Sequence, residues 1–435
     1  MPSRRDFLGS LAYPAVASLG ACFSPPRAAA AIAGFAAADH LTPQEAAARE
    51  DLWVPVQQAF TVDRSQTNLN NGGVSPAPRF VQEAHKARLD FSNQNSTRNL
   101  WQILEPQKEF VRTGLARLFG GDAEEIAITR NASESLENCL FGFDLRPGDE
   151  VVTTDQDYPR MRTTLDQRAR RDGIVVRKIA LPVPCEDDAL VVERFAAAMT
   201  ERTRLVLMCH VINITGQILP VRGVVAMARA RGVPVVVDGA HAFAHLVFRR
   251  DDLDCDFFGT SLHKWLFAPH GTGMLYVRRE RIRSLWPLMA APAELDGDIR
   301  KFEEIGTHPA AQILSIGEAL VFHQGIGPER KLARMLFLRD RWARRLSAHE
   351  RVRLNTSLKP GFASGVANFT IDGMDMVKLQ QHLWQRHQIW TTYIGPPLPK
   401  ECEGLRITPS VYTTLDELDR FCEAVEAVLA KGLPA

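Results

Sequence analysis

A chain of 435 residues with 52 basic and 51 acidic side chains carries a formal charge of +1, so no electrostatic surplus marks a nucleic-acid or polyanion binder. With 45% hydrophobic and 24% charged residues, it is too apolar for disorder and long enough to bury a large core in two or three domains. Seven cysteines without a CxxC spacing exclude a disulfide scaffold, and the absence of sustained heptads or internal repeats excludes a coiled coil or solenoid.

The chain opens with Ser3-Arg4-Arg5-Asp6-Phe7-Leu8, an uncharged small-residue stretch from Leu8 to Phe23, and the run Arg27-Ala28-Ala29-Ala30-Ala31. That order of basic, apolar and small-residue regions is the layout of a signal peptide, and the paired arginines before Phe-Leu resemble the twin-arginine export signal. The apolar stretch is too short and too rich in Gly and Ala for a membrane span. The expectation is export to the bacterial periplasm through the twin-arginine translocase, a route for folded, cofactor-loaded cargo. Leu19-Gly20-Ala21-Cys22 also resembles a lipobox that would anchor Cys22 to lipid, while the alanine run offers ordinary cleavage; both readings stand.

Helical patterns are expected from about Leu41 to Phe60 and from Arg79 to Phe119, separated by the turn-rich loop Asn68-Leu69-Asn70-Asn71-Gly72-Gly73. Seven short apolar runs then read as strands: Ile126–Thr129, Glu150–Thr153, Val175–Ile179, Arg204–Cys209, Pro234–Val237, Phe257–Gly259 and Met274–Val277. Helical patterns or polar turns flank most of them, which predicts an α/β layer with a largely parallel, buried sheet. A helical stretch from Ala310 to Leu346 and a mixed segment containing Val366–Ile371 and Leu415–Leu429 predict a second, smaller α+β domain. In an open parallel sheet, ligands gather beyond the carboxyl ends of the strands.

The residues at those ends carry chemistry. Arg130-Asn131-Ala132-Ser133 opens a helix whose free N–H groups suit an anion. Tyr158 and Asn213 follow two further strands. Val235-Val236-Val237 runs into Asp238-Gly239-Ala240-His241, and a carboxylate behind so apolar a strand calls for a cationic partner. Phe257-Phe258-Gly259 runs into Thr260-Ser261-Leu262-His263-Lys264-Trp265, where an apolar setting lowers the pKa of a lysine and frees its amine. A buried carboxylate, an activated lysine, a phosphate-ready helix and a flanking aromatic match the needs of pyridoxal 5'-phosphate.

Asp238-Gly239-Ala240-His241, followed some twenty residues later by Ser261-Leu262-His263-Lys264-Trp265, resembles the class V aminotransferases of fold type I, the group that holds cysteine desulfurases and isopenicillin N epimerase. The resemblance runs from Asn70-Asn71-Gly72 to Leu405-Arg406. It implies a large domain with a mostly parallel seven-stranded sheet and a smaller α+β domain. Residues 1–35 would be the signal, 36–83 a segment packing on the small domain, 84–308 the large cofactor-binding domain, and 309–435 a linking helix and the small domain. It also implies Lys264 as the Schiff-base lysine, Asp238 as the partner of the pyridine nitrogen and Tyr158 as the ring-stacking aromatic. Asn213 and His241 would contact the cofactor phenolate, and Ala132, Ser133, Ser261 and His263 would form the phosphate cup. Thr307 of Glu304-Ile305-Gly306-Thr307 would reach the phosphate in a neighbouring subunit, making a homodimer with shared sites. Arg406 would bind a substrate α-carboxylate as a bidentate pair, with Asn71 and Tyr393 as further substrate contacts. Many members carry Gln where this chain has His241.

The sequence departs from the desulfurases at Thr391-Thr392-Tyr393-Ile394-Gly395-Pro396-Pro397, which holds no cysteine, and this disfavours persulfide chemistry. The expected activity is aminotransferase-like work at the α-amino carbon of an amino acid or peptide-like metabolite, such as siderophore or secondary-metabolite tailoring. Epimerisation and C–S lysis are the enzymatic alternatives, and a cofactor-retaining binding protein is the non-enzymatic one. No histidine spacing suggests a metal.

Overall fold

The computed structural model describes residues 25–433, so the arginine pair, the apolar stretch and Cys22 lie outside the described residues. The first described helix, Pro25–Ala37, crosses the boundary expected at residue 35. Its Ala31 and Phe35 are buried, the Phe35 ring meets Trp53 edge-on at 5.1 Å, and Arg330 donates to the Phe35 carbonyl. The helix thus spans residues on both sides of that boundary. Among the described residues, no helix is long and apolar enough to cross a membrane.

After a short strand β1 (Thr67–Asn68), seven strands form the main sheet: β2 (Ile126–Thr129), β3 (Glu150–Thr154), β4 (Val175–Ile179), β5 (Thr203–Cys209), β6 (Val235–Asp238), β7 (Phe257–Ser261) and β8 (Gly273–Val277). Their order is β2-β8-β7-β6-β5-β3-β4. Pairings from β4 through β7 are parallel, and β8 runs antiparallel to β7 and β2. Both faces are covered: along β5, Leu205 and Leu207 enter one apolar cluster while Val206 and Met208 enter the other. A strand buried on both sides has no polar face, which is why the inner segments Leu205–Met208 and Val235–Val237 read as unbroken apolar runs, whereas the edge strand β4 is partly exposed and carries Arg177 and Lys178.

The expected helix over 79–119 is broken. Arg79–Gln94 gives way to a π-helical segment, Arg98–Leu104, before Lys108–Phe119 resumes. The Asn99 side chain reaches back to donate to the Phe91 carbonyl near the end of the first helix, and Pro106 supplies no N–H. The 310–346 stretch is also divided, into Ala310–Leu314, Ile316–Ile326 and Pro328–Ser347, with Gly327 at φ 94° before Pro328 making the last break. The Pro328–Ser347 helix links the domains: Met335 joins the large core, and Leu338 and Trp342 join the core of the small domain.

The small domain holds β9 (Val352–Leu354), β10 (Ala367–Ile371), β12 (Thr392–Ile394) and β13 (Gly404–Ile407) in the antiparallel order β12-β13-β10-β9. Beside it, β11 (Ile389–Trp390) pairs in parallel with β1. The loop after β1 reaches both domains: the Asn71 N–H donates to the Thr408 carbonyl, and the Ser75 N–H donates to the His263 carbonyl.

Candidate active site

The adjacent parallel strands β5, β6 and β7 end side by side, with Cys209 in register with Asp238 and Asp238 with Gly259. Beyond those ends lies a cavity of about 350 Å³. It is lined by nine residues anticipated from the sequence: Ala132, Ser133, Tyr158, Asn213, Asp238, His241, Ser261, His263 and Lys264. The chain must turn sharply after β6 to present two of them. Gly239 permits this, because a Cβ there would overlap the Phe258 ring.

Asp238 is buried, and one carboxylate oxygen accepts the Ala240 N–H at 2.9 Å. Burial pushes its pKa up to about 6, with the Lys264 amine pulling it down and Asp157 pushing it up. A carboxylate so destabilised in its charged form is suited to a protonated ring nitrogen. Lys264 is half-buried with its amine in the cavity, 3.1 Å from His241 Nε2. Desolvation lowers its pKa to about 8; Asp238 opposes that shift and Arg406 adds to it. Behind it, Lys331 is buried with no carboxylate partner among the described residues and donates to the carbonyl of Trp265, with its ammonium 4.2 Å from the Phe267 ring centre. Sequence reading missed this lysine, which sits mid-helix among arginines.

At the opposite end, the Ala132–Gly142 helix is capped by Asn131, whose side chain accepts the Glu134 N–H at 2.9 Å. Ser261 Oγ accepts the Ala132 N–H at 2.9 Å, so β7 and the helix start form one cup. His263 Nδ1 lies 3.0 Å from the Thr272 carbonyl, which commits that nitrogen to the protein and leaves Nε2 for a ligand. Burial lowers its pKa to about 4; a docked dianion would favour the charged ring.

Arg406, on β13, is 6% exposed. Its two terminal nitrogens donate to the Asn213 carbonyl at 2.9 Å and to Asn70 Oδ1 at 2.7 Å. Among the described residues its Nε has no partner, and burial lowers its pKa to about 10. Among the described residues no carboxylate pairs with it, and a buried cation held only by neutral acceptors is poised for an anionic ligand. Asn213 Oδ1 is likewise buried without a partner. Tyr158 stands at the cavity wall, 40% exposed.

Two expected residues are placed elsewhere. Asn71 is fully buried and spends its side chain on the carbonyls of Asn68 and Thr408 and on the Tyr412 hydroxyl. Its neighbour Asn70, missed in the sequence, is the one that meets Arg406. Tyr393 does not line the cavity. It pairs with Leu405 across β12 and β13, while Thr392 pairs with Arg406, so pleat parity turns Tyr393 toward the small-domain core, where its hydroxyl donates to Glu403 at 2.9 Å. Thr307 is exposed in the turn before the Ala310 helix and is not among the residues lining the cavity. Gly73, Asn131, Leu136, Cys209, Val211, Ala240 and Gly271 complete the wall. Six cysteines among the described residues are free and buried, and burial raises the Cys402 thiol to about 12. No cluster of residues suited to a metal occurs among the described residues.

The model of the aminotransferase class-V family matches residues 67–421. The chain is 33% identical over 403 residues to the isopenicillin N epimerase of Streptomyces clavuligerus, covering 86% of this chain and 98% of that protein. Among solved structures, the cysteine desulfurase of Thermococcus onnurineus superposes with a TM-score of 0.76 at 24% identity, over 88% of this chain and 98% of that one. The lyase C-DES, solved with glycine covalently linked to its pyridoxal phosphate, gives 0.74 at 24% identity over 84% and 98%. The buried carboxylate, the amine across the cavity from it and the serine-lined helix start fit the ring nitrogen, aldehyde and phosphate of that cofactor. The chain belongs to the class-V aminotransferase family, pyridoxal 5'-phosphate enzymes of fold type I.

Proposed function

We propose that the protein acts at the α-amino carbon of an amino acid or peptide-like metabolite, with aminotransferase-like turnover of the kind used in tailoring secondary metabolites such as siderophores. One observation carries this reading: Arg406, a buried cation with no carboxylate partner among the described residues, is placed close enough to the Lys264 amine for the two charges to disfavour each other. A substrate α-carboxylate on Arg406 brings its α-carbon toward that amine, and the neutral acceptors around the guanidinium do not compete for the anion. When bound, the cofactor supplies an electron sink for bonds at that carbon. Lys264, once free, takes up or returns the α-proton, its lowered pKa matching proton transfer near neutral pH. Asp238 keeps the ring nitrogen protonated, and the Ala132 helix start with Ser261 and His263 holds the phosphate.

Epimerisation is the second reading, favoured by the full-length match to an epimerase. Persulfide desulfuration is disfavoured: residues 391–397 lack a cysteine, and nearby Cys402 is buried and protonated. Incubating the loaded protein with amino acids and dipeptides in deuterium oxide, with 2-oxo acids as acceptors, tests both. Deuterium at the α-carbon with amine transfer supports the first reading, and deuterium with inverted configuration supports the second. A broad panel showing neither exchange nor amine loss sinks both.

Export through the twin-arginine translocase to the periplasm, and a homodimer whose Thr307 completes the neighbouring phosphate cup, belong to the same proposal. Arg4-Arg5 and the following apolar stretch support the first, and the exposed position of Thr307 supports the second. Fractionation of cells carrying Arg4→Lys/Arg5→Lys, and sedimentation of the purified protein, test them.

A further inference from the structure

We propose that Lys331 is a positioning residue for Lys264: from the helix that links the two domains, its side chain holds the backbone of the turn that presents the Lys264 amine to the cavity. This rests on Lys264 being the residue that holds the cofactor, and it gives a role to the buried lysine behind it.

The turn needs holding. It leaves β7 at Ser261 and closes where the Ala268 N–H donates to the Leu262 carbonyl at 3.1 Å. Phe267 inside it has φ 62°, the left-handed region that a bulky side chain occupies only when its surroundings over-determine it. Trp265, Leu266, Phe267 and Ala268 are all fully buried, so the carbonyls of this irregular backbone need donors inside the protein. The two that flank Lys264 find them in different segments. That of His263 accepts the Ser75 N–H at 3.1 Å, and that of Trp265 accepts from Lys331 Nζ. Among the described residues no backbone N–H reaches the Trp265 carbonyl.

Lys331 is 1% exposed on the Pro328–Ser347 helix. Its amine has three near neighbours: the Trp265 carbonyl, the Phe267 ring with its centre 4.2 Å away, and His323 Nδ1 at 3.3 Å. Two of the three belong to the turn, and one of those is the strained residue. The titratable groups around it are His323 and His245. No carboxylate among the described residues offsets its burial, which pushes its pKa well below the usual lysine value. A methionine would fill the space without that cost, so what the amine adds is its N–H groups, present in the neutral and the charged form alike.

Without this donor, the Trp265 carbonyl is left unpaired in a dry site, and the turn gains by swinging it toward water and releasing Phe267. The Lys264 amine, whose lowered pKa comes first from desolvation, is then better solvated, and its pKa rises toward the ordinary value. Asp238, Arg406, Cys209, His241 and His263 face that amine, and the substitution alters none of them.

The test uses the full chain without cofactor, as wild type, Lys331→Met and Leu338→Ala. Methionine keeps the volume and removes the donor. The alanine opens a cavity on the same helix in the small-domain core and controls for loss of stability alone. Labelling of Lys264 by cyanate is followed by peptide mass spectrometry from pH 6 to 10, and hydrogen exchange is followed in peptides spanning residues 262–268. Lys331→Met should raise the midpoint of the Lys264 profile by about one pH unit, part of the displacement that burial causes. It should also speed exchange of the Ala268 amide about tenfold, as expected for a buried carbonyl left unpaired; Leu338→Ala should do neither. A midpoint equal to that of wild type overturns the proposal, and so do equal displacements in the two variants, which would mark general loosening. In wild type the Ala268 amide should exchange as slowly as those of β7. Rapid exchange there would mean that the turn is not held, and would overturn the proposal even if Lys331→Met does not fold. Borohydride reduction of the loaded protein separates this proposal from the functional reading. An adduct on a lysine other than Lys264 removes the reading itself, whereas an adduct on Lys264 with an unmoved midpoint removes only the role of Lys331.

Discussion

Replacing Arg406 by methionine should separate stability from function. The guanidinium is buried, and its pKa is lowered to about 10, a displacement of more than two pH units that corresponds to ~3 kcal/mol of disfavour for the charged form in the folded protein. Methionine removes that penalty and fills similar space, but it forfeits the charge-assisted hydrogen bonds to Asn213 and Asn70, each worth about 1.5–3 kcal/mol net. The balance runs from about zero to about 3 kcal/mol against the variant, or a melting temperature unchanged to about 5 °C lower for a chain of this size. Binding suffers more. A substrate carboxylate loses two charge-assisted hydrogen bonds of about 1.5–3 kcal/mol each, so kcat/KM should fall by at least about 150-fold. Differential scanning fluorimetry of the cofactor-free protein gives the first quantity, and α-proton exchange kinetics on the best substrate give the second. A melting temperature lowered by more than about 5 °C would mean that Arg406 is a structural anchor. A loss in kcat/KM of less than about tenfold would mean that it does not hold the substrate.

Asp238→Asn should show the opposite faces of a buried acid. In the wild type its folded pKa of about 6 lies above the unfolded value of 3.8, so the folded state binds the proton more tightly, and this group favours folding as pH falls below about 6. Cofactor-free Asp238→Asn should therefore melt higher than wild type at pH 8, with the gap closing between pH 6 and 4; a gap independent of pH would refute the reasoning, and with cofactor bound the order should reverse. Gly239→Ala drives a methyl into the Phe258 ring and should cost about 3 kcal/mol or prevent soluble expression, which thermal melts or expression yields would reveal. Tyr393→Phe, whose hydroxyl bonds to Glu403 on the far side of the sheet from Arg406, should leave kcat/KM within about twofold of wild type, and a larger fall would return Tyr393 to the substrate wall.

The main sheet was legible because strands covered on both faces cannot hide polar residues, so Val235–Val237 and Leu205–Met208 could hardly be anything else. The same contrast exposed the site: a carboxylate and a lysine immediately beyond such strands stand out against their background. Breaks inside helices were less legible, since the Asn99 side chain bonds back to the Phe91 carbonyl where the 79–119 stretch is interrupted, and such a bond leaves no mark in hydrophobic spacing. The choice between Asn70 and Asn71 was beyond sequence for a different reason. Two adjacent asparagines in a loop point different ways, and only the pairing of the loop with Thr408 decides which meets Arg406. Tyr393 was misplaced because alternation along a three-residue strand is too short to establish which face is inward.

The loop from Thr67 to Ser75 is stitched to the small domain through β11 and Thr408 and to the large domain through the His263 carbonyl, one residue before Lys264. Any displacement of the strand that carries Arg406 must pull on the peptide that precedes Lys264. On the roles proposed for these two residues, capture of a substrate's acid group and presentation of the reactive nitrogen are yoked by a single stretch of backbone, so a ligand that lacks the acid group would leave that yoke slack.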